Sequence, residues 1–374
     1  MKANFFSAGR SDFKDKVVSL DYPLIFLILL LGIISFFAMY STEGGVFNYY
    51  TQNHIYRFCT FFLFFIILSF LHIHFWYKTS FLFYFIILSL LLSVDIFGVA
   101  ASGSKRWISI FFFNLQPSEL MKIVLLIFLA RYYSKIPSRD VNHIKTMFIP
   151  LFAIFIPVAL ISTQPDLGTA VLVAFGGVAV IWLAGFRLKY FAISSVFVIC
   201  LLPIAITFLK PYQKARILTF LNPERDPLGA GYQIIQSKIA VGSGGIFGKG
   251  YLLGSQSYLD YLPEKHTDFI FTLFSEEFGF IGSVLLLTIY ALIIQRVISI
   301  GNKCKNNFAK LYCFGFAMSF FVYVAVNMSM VLGLLPIVGA PLPIMSYGGS
   351  SMLSIMIGLS IVMSSKVYSQ HRTE

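Results

Sequence analysis

Apolar runs of bilayer-spanning length recur along the chain, near 22–41, 56–76, 79–100, 117–133, 147–163, 168–186, 190–209, 268–295, 311–334 and 346–365. A hydrocarbon core about 30 Å thick is crossed by about 20 apolar residues in α-helical form. The pattern therefore predicts an all-α polytopic membrane protein with ten transmembrane helices in a single membrane domain. An even number of crossings puts both termini on one side. Between the seventh and eighth runs, residues 210–267 break the pattern with Gly, Ser, amide and charge, and this stretch is expected as a long extracytoplasmic loop. Its segment Ile234–Val241 is too polar to span, yet apolar enough for a helix lying along the interface.

Composition agrees: 58% of residues are hydrophobic and 12% charged, about half the charged fraction of a soluble domain. Charge then sets the orientation. With the N-terminus in the cytoplasm, that face collects 17 of the 28 Lys and Arg residues and five of the 16 acids, which is the whole net charge of +12. Such a bias is the usual positive-inside signal. An anionic leaflet explains it, and no nucleic-acid reader motif is present. The four cysteines show no CxxC or metal-ligand spacing and read as core thiols. His72 and His74 have no third ligand nearby to make a metal site.

Three acids stand at the mouths of apolar runs: Glu119 in Gln116-Pro117-Ser118-Glu119, Asp166 in Gln164-Pro165-Asp166, and Asp268 in His266-Thr267-Asp268. Pro and an acid in a first turn stabilise a helix start through the free N–H groups and the dipole. That bland reading accounts for all three as well as chemistry does. Glu119 and Lys122 are three apart and share a helix face; inside a membrane such a pair is either functional or a buried structural salt bridge. Arg57, near the outer end of the second run, could join them or snorkel to headgroups. Asp268 follows the polar loop directly, where a half-desolvated carboxylate can serve as general base toward a hydroxyl. Glu276 and Glu277 follow it by about 80° and about 180° around a helix, so at most one can share its site. Cations outside the membrane, Arg106 and Lys249 among them, suit an anionic partner such as a diphosphate leaving group. The Gly-rich stretch 241–250 lacks the order of a nucleotide-binding loop.

The segments SGSKRWISI and FNLQPSELMK within 102–122, QPDLGTA at 164–170, the run from Phe220 to Gly279, and GLLPIVGAPLPIMSYGGSS at 333–351 resemble the SEDS family, and its RodA branch more than its FtsW branch. The resemblance covers nearly the whole chain. It implies a peptidoglycan glycosyltransferase that polymerises lipid II, an undecaprenyl-diphosphate-linked disaccharide pentapeptide, on the outer face of the bacterial cytoplasmic (inner) membrane during elongation. The acceptor GlcNAc 4-hydroxyl would attack the anomeric carbon of MurNAc and release undecaprenyl diphosphate. By the same resemblance Asp268 is the catalytic acid of the HTDF motif, Glu119, Lys122 and Asp166 bind substrate, and Arg57, Arg106 and Lys249 join them. Implied partners are a class B penicillin-binding protein transpeptidase and the MreB, MreC and MreD elongation machinery. A divalent cation, Mg or Mn, is compatible with this chemistry, although no ligand cluster in the sequence demands one. Two other readings stay open: a flippase for the lipid-linked precursor, and a non-catalytic scaffold for the transpeptidase.

Overall fold

The computed structural model describes residues 13–369, except 102–103, 111–112, 138, 194, 197–199, 201–206, 208–210, 227–228 and 256–263. Its helices are α1 Phe13–Val18, α2 Tyr22–Thr42, α3 Tyr49–Ser69, α4 Ile73–Phe97, α5 Pro117–Ser134, α6 Ile144–Thr163 and α7 Leu167–Leu183, followed by α8 Pro211–Leu221, α9 Ala230–Ser243, α10 Ile270–Lys303, α11 Asn307–Val331 and α12 Gly349–Val367. Among the described residues six helices (α2, α4, α6, α10, α11 and α12) are long and apolar enough to cross a membrane. The chain is a multi-pass membrane protein. The run expected at 190–209 and the loop 210–267 fall partly on residues outside the description.

Helix α5 is the axis of the bundle. It packs against α4, α6, α7, α11 and α12, and 14 of its 18 residues are buried. A helix buried on all sides needs no polar face, yet this one carries Glu119 and Lys122 inward. Pro117 starts it at the first helical position, where its missing N–H costs nothing.

Two of the expected spans are displaced. The second helix begins at Tyr49 instead of 56 and ends at Ser69, and the third runs Ile73–Phe97 instead of 79–100. Hydropathy sets residues 49–55 aside as polar, but two of them, Thr51 and His54, are buried with their polar groups paired. Thr51 Oγ1 donates to Glu43 Oε2 at 2.8 Å, and buried His54 hydrogen-bonds Ser35 Oγ. At the other end the apolar run continues through a turn, and His72 caps α4 by accepting from the His74 amide at 3.1 Å. Between α4 and α5, β1 Val99–Ala101, β2 Ser104–Ile110 and β3 Phe113–Leu115 form a small antiparallel sheet in the order β1-β2-β3. The fold is thus helical with one three-stranded addition. Of the cysteines, Cys304 and Cys313 are buried, whereas Cys59 and Cys200 are exposed on the outside of the bundle and do not join the core.

The long helix α10 is interrupted. Gly279 has φ 64° and ψ −160°, a conformation natural only to glycine. The break frees backbone groups, and the Gly-rich loop repairs them. Lys249 N donates to Glu276 O (3.0 Å) and Gly250 N to Glu277 O (3.1 Å), while Phe280 N and Ile281 N donate to Gly245 O and Ile246 O at 2.9 and 3.1 Å. Lys249 Nζ and Ser255 Oγ reach Glu276 Oε1 at 2.6 and 2.8 Å, and Ser41 Oγ of α2 donates to Glu277 Oε1. Further along, Arg296 holds Asp21, the cap of α2, through Nε and Nη2 at 3.2 and 2.7 Å. Arg296 to Gly279 is about 25 Å of helix rise, so both ends of the membrane-crossing part of α10 are tied to α2.

A side chain at 279 has no room. A Cβ there would lie 2.3 Å from Gly248 N and 2.7 Å from Ile246 O, both backbone atoms. Gly279→Ala is expected to destabilise the detergent-purified protein by about 1–3 kcal/mol or more, read as a fall in Tm. Gly176→Ala, whose Cβ would meet only ordinary contacts at 3.4 Å and beyond, should leave Tm unchanged or raise it.

Candidate active site

Asp268 lies in the turn just before α10, half-buried. Among the described residues no hydrogen bond or ion pair engages its carboxylate, whose Oδ2 lies 3.6 Å from where a Cβ on Gly339 would sit. Burial pushes its pKa up to about 7; Glu264 and Asp166 add to the rise, and Arg216 and Arg106 oppose it. The carboxyl is therefore poised between acid and base near neutrality. The preceding residues are pinned. His266 stacks on Tyr50 at 4.1 Å between ring centroids, its Nδ1 bonds Thr42 Oγ1 at 2.9 Å, and its carbonyl accepts from Tyr347 N at 2.8 Å.

Glu119 and Lys122 form an ion pair at 2.8 Å, and both are buried. Tyr323 of α11 covers them: the Lys122 ammonium sits 3.7 Å from its ring centroid, and its hydroxyl lies 3.4 Å from Glu119 Oε2 and 3.0 Å from Ser351 Oγ. Asp166 is buried as the cap of α7, accepting from Thr169 N at 3.3 Å and from Gln116 Nε2 at 2.9 Å. Arg106 comes from β2 to hold the same turn. Its Nε donates to Gln164 O at 3.1 Å, its Nη2 donates to Pro165 O, and its Nη1 is 3.8 Å from Asp166 Oδ1. Asp166 and Arg106 thus build this turn, and their charges act on Asp268 in opposite senses.

Arg57 is placed differently. Its guanidinium lies 4.4 Å from the Tyr347 ring centroid and against Gly349, where an added Cβ would come within 3.6 Å. It lines a cavity of about 1370 Å³ between α3 and α12. The cavity's upper wall carries Tyr49, Tyr50, Asn53, Trp107, Thr267 and Ser350, and its lower wall Phe61, Phe64, Leu68, Leu353 and Ile357. The α12 N-terminus opening onto it has no side-chain cap, so its partial positive charge faces the same space as Arg57. Thr267 lines this cavity, and Asp268 follows it directly in the chain.

Lys249 does not join this group. Its ammonium is bound to Glu276 and Ser255 in the joint beside Gly279, a structural position that satisfies it without a substrate. Neither Glu276 nor Glu277 shares the site of Asp268, because both turn to that joint. Asp268 itself precedes the first turn of α10, so the helical wheel does not extend to it. Sequence reasoning missed Asn327, Tyr323 and the aromatic cavity wall; Asn327 and Tyr323 sit within an apolar run and carry no local motif. Among the described residues no group of three or more His, Cys, Asp or Glu is placed to hold a metal.

A family model described as cell cycle protein, covering FtsW, RodA and SpoVE, matches residues 19–371. The chain is 45% identical over 284 residues to the peptidoglycan glycosyltransferase MrdB of Escherichia coli K12, covering 75% of this chain and 76% of that one. It is 36% identical over 366 residues to a probable peptidoglycan glycosyltransferase FtsW of Wigglesworthia glossinidia brevipalpis, covering 94% and 95%. Among solved structures it is similar to a chain of a peptidoglycan synthase complex that coordinates polymerization and crosslinking, with TM-score 0.81, 29% identity, and coverage of 93% and 97%. It is also similar to the rod shape determining protein RodA of Thermus thermophilus, with TM-score 0.71, 25% identity, and coverage of 94% and 98%. With the family model spanning nearly its full length and MrdB this similar, the chain belongs to the FtsW, RodA and SpoVE family of membrane proteins, the SEDS family.

Proposed function

We propose that this peptidoglycan glycosyltransferase uses Asp268 as general base and the Arg57 cavity to hold the lipid-linked diphosphate of lipid II. The acceptor GlcNAc 4-hydroxyl gives its proton to Asp268 as its oxygen bonds to the anomeric carbon of MurNAc. The bond from that carbon to the diphosphate breaks, and undecaprenyl diphosphate leaves with the electron pair. The observation that carries this reading is the half-buried carboxylate of Asp268, engaged by no hydrogen bond or ion pair among the described residues and set next in sequence to a residue of a cavity with a polar cationic wall and an apolar floor. An amphiphile with a sugar–diphosphate head and a prenyl tail fits such a cavity. Arg57 and the uncapped start of α12 would draw the diphosphate, and the aromatic rim suits the apolar faces of sugar rings.

The mostly basic face at Arg296 and Lys303 supports cytoplasmic termini and a site on the outer side of the bacterial inner membrane, within the full set of ten spans and a loop over 210–267. A Mg or Mn ion would be carried on the diphosphate oxygens, with few protein ligands. The structural likeness to a synthase complex supports a class B penicillin-binding protein transpeptidase as partner, and the elongation role would join both to MreB, MreC and MreD.

Asp268→Asn is close to isosteric and removes the base. Polymer formed from labelled lipid II by the purified protein with its transpeptidase should fall by about 10²-fold or more, while the protein keeps its Tm. Wild-type polymerisation by this variant would overturn the assignment, and lipid movement across vesicles without polymer would favour the flippase.

The rate should fall on the acid side with a midpoint near pH 7, as Asp268 takes up a proton. Glu264 raises this pKa, so Glu264→Gln should move the acid limb to lower pH. A rate–pH profile of both proteins checks the sign.

Arg57→Leu removes the cation from the cavity. KM for lipid II is expected to rise about tenfold, the scale of one lost charge-assisted contact, as measured in initial-rate titrations at fixed enzyme.

A further inference from the structure

Asn327 is an amide in the middle of an apolar helix. It is fully buried on α11, one turn beyond Tyr323, so the two share the face that packs beneath the site. Its Nδ2 donates to two backbone carbonyls from different parts of the chain: Asp268 O at 3.0 Å and Ala340 O at 2.6 Å. Its Oδ1 is buried and has no hydrogen-bond partner among the described residues. The orientation of the amide is set by chemistry, because two facing acceptors require the NH2 group and would repel the oxygen. A buried amide oxygen left unpaired is destabilising, so packing economy alone does not favour asparagine at this position.

The two carbonyls matter because of where they sit. The Thr272 amide donates to Phe269 O at 3.0 Å and does not reach back to Asp268. The Asp268 carbonyl is therefore outside the ladder of α10, and Asn327 supplies its hydrogen bond. Ala340 follows Gly339, whose positive φ of 73° turns the 332–348 segment over the Asp268 carboxylate. One amide thus joins the backbone that carries the carboxylate to the backbone that roofs it.

We infer that Asn327 is a positioning residue for the glycosyl transfer, fixing the height of Asp268 against the Gly339–Ala340 roof so that its carboxylate meets the acceptor hydroxyl. This rests on the reading of Asp268 as base. A base works only within hydrogen-bond reach of the proton it takes, and a misplacement of about 1 Å can cost about 10²-fold in rate. Asn327 touches no reacting atom and acts only through the position of Asp268.

The test uses the full-length chain with its transpeptidase partner and labelled lipid II, and compares wild type, Asn327→Leu, Asn327→Gln and Asp268→Asn. Asn327→Leu keeps the volume and removes the donor. It should lower kcat about tenfold or more, leave KM within about twofold, and shift the midpoint of the acid limb. Asn327→Gln, which retains the NH2 group, should recover part of kcat. A folded Asn327→Leu protein with wild-type kcat and acid limb, and only a lower Tm, would overturn the proposal by showing a purely structural amide. If Asn327→Leu does not fold, Asn327→Ser, smaller and unable to span both carbonyls, is read by the same kcat and pH criteria. Asp268→Asn separates the two readings. If it is inactive while Asn327→Leu is normal, only the positioning role fails; if it polymerises normally, the base assignment fails and this inference with it.

Discussion

In a hydrocarbon layer no water is at hand to satisfy a backbone N–H or C=O, so each must find a partner within the protein. Most of this chain meets that demand with uninterrupted helices. At Gly279 α10 does not, and the freed groups of residues 276–281 bond to the backbone of residues 245–250. The Gly-rich loop is thereby spliced into the helix. Glu276 and Glu277 are neutralised or hydrogen-bonded in the same joint, by Lys249, Ser255 and Ser41. The short segment of α10 before the break, with Asp268 just ahead of it, is anchored at its far end by this splice.

The same accounting governs the polar interior. Glu119 and Lys122 lie in the most enclosed helix of the bundle, where an isolated charge would cost several kcal/mol. Pairing with each other, and with the ring and hydroxyl of Tyr323, makes the site tenable. Through Ser351 this cluster reaches α12, whose start faces Arg57. Asn327 lies one turn along from Tyr323 and holds the Asp268 carbonyl. A single face of α11 therefore links the buried ion pair to the turn that carries Asp268.

How legible this was in the sequence differs residue by residue. The runs at 22–41, 117–133 and 346–365 became α2, α5 and α12 almost as expected, because an unbroken apolar run that must bury its backbone has little choice but a helix. The start of α3 was missed because its first turns are polar, and two of those residues, Thr51 and His54, are buried and paired inward. Glu276 and Glu277, of which at most one was expected beside Asp268, both turn to the joint at Gly279, and Asp268 itself precedes the first turn of α10. Asp268, Glu119, Lys122 and Arg57 stood out as ionisable residues at the edges of apolar sequence. Lys249 stood out equally, yet its ammonium is engaged by Glu276. Residue type marks a charge as costly without naming the group that compensates it.

Local composition alone determined that this chain lives in a membrane, which stretches are apolar enough to form spanning helices, and which few charges require an explanation, since transfer from water to hydrocarbon depends on each residue's own chemistry. Partnership was decided only by the tertiary structure. The side of the 266–268 turn that meets the cavity, the loop that mends α10 and the amide under Asp268 all depend on atoms brought together from dozens to hundreds of residues apart. Hydrogen bonds and ion pairs act over a few ångströms of space, and sequence separation carries no measure of that distance.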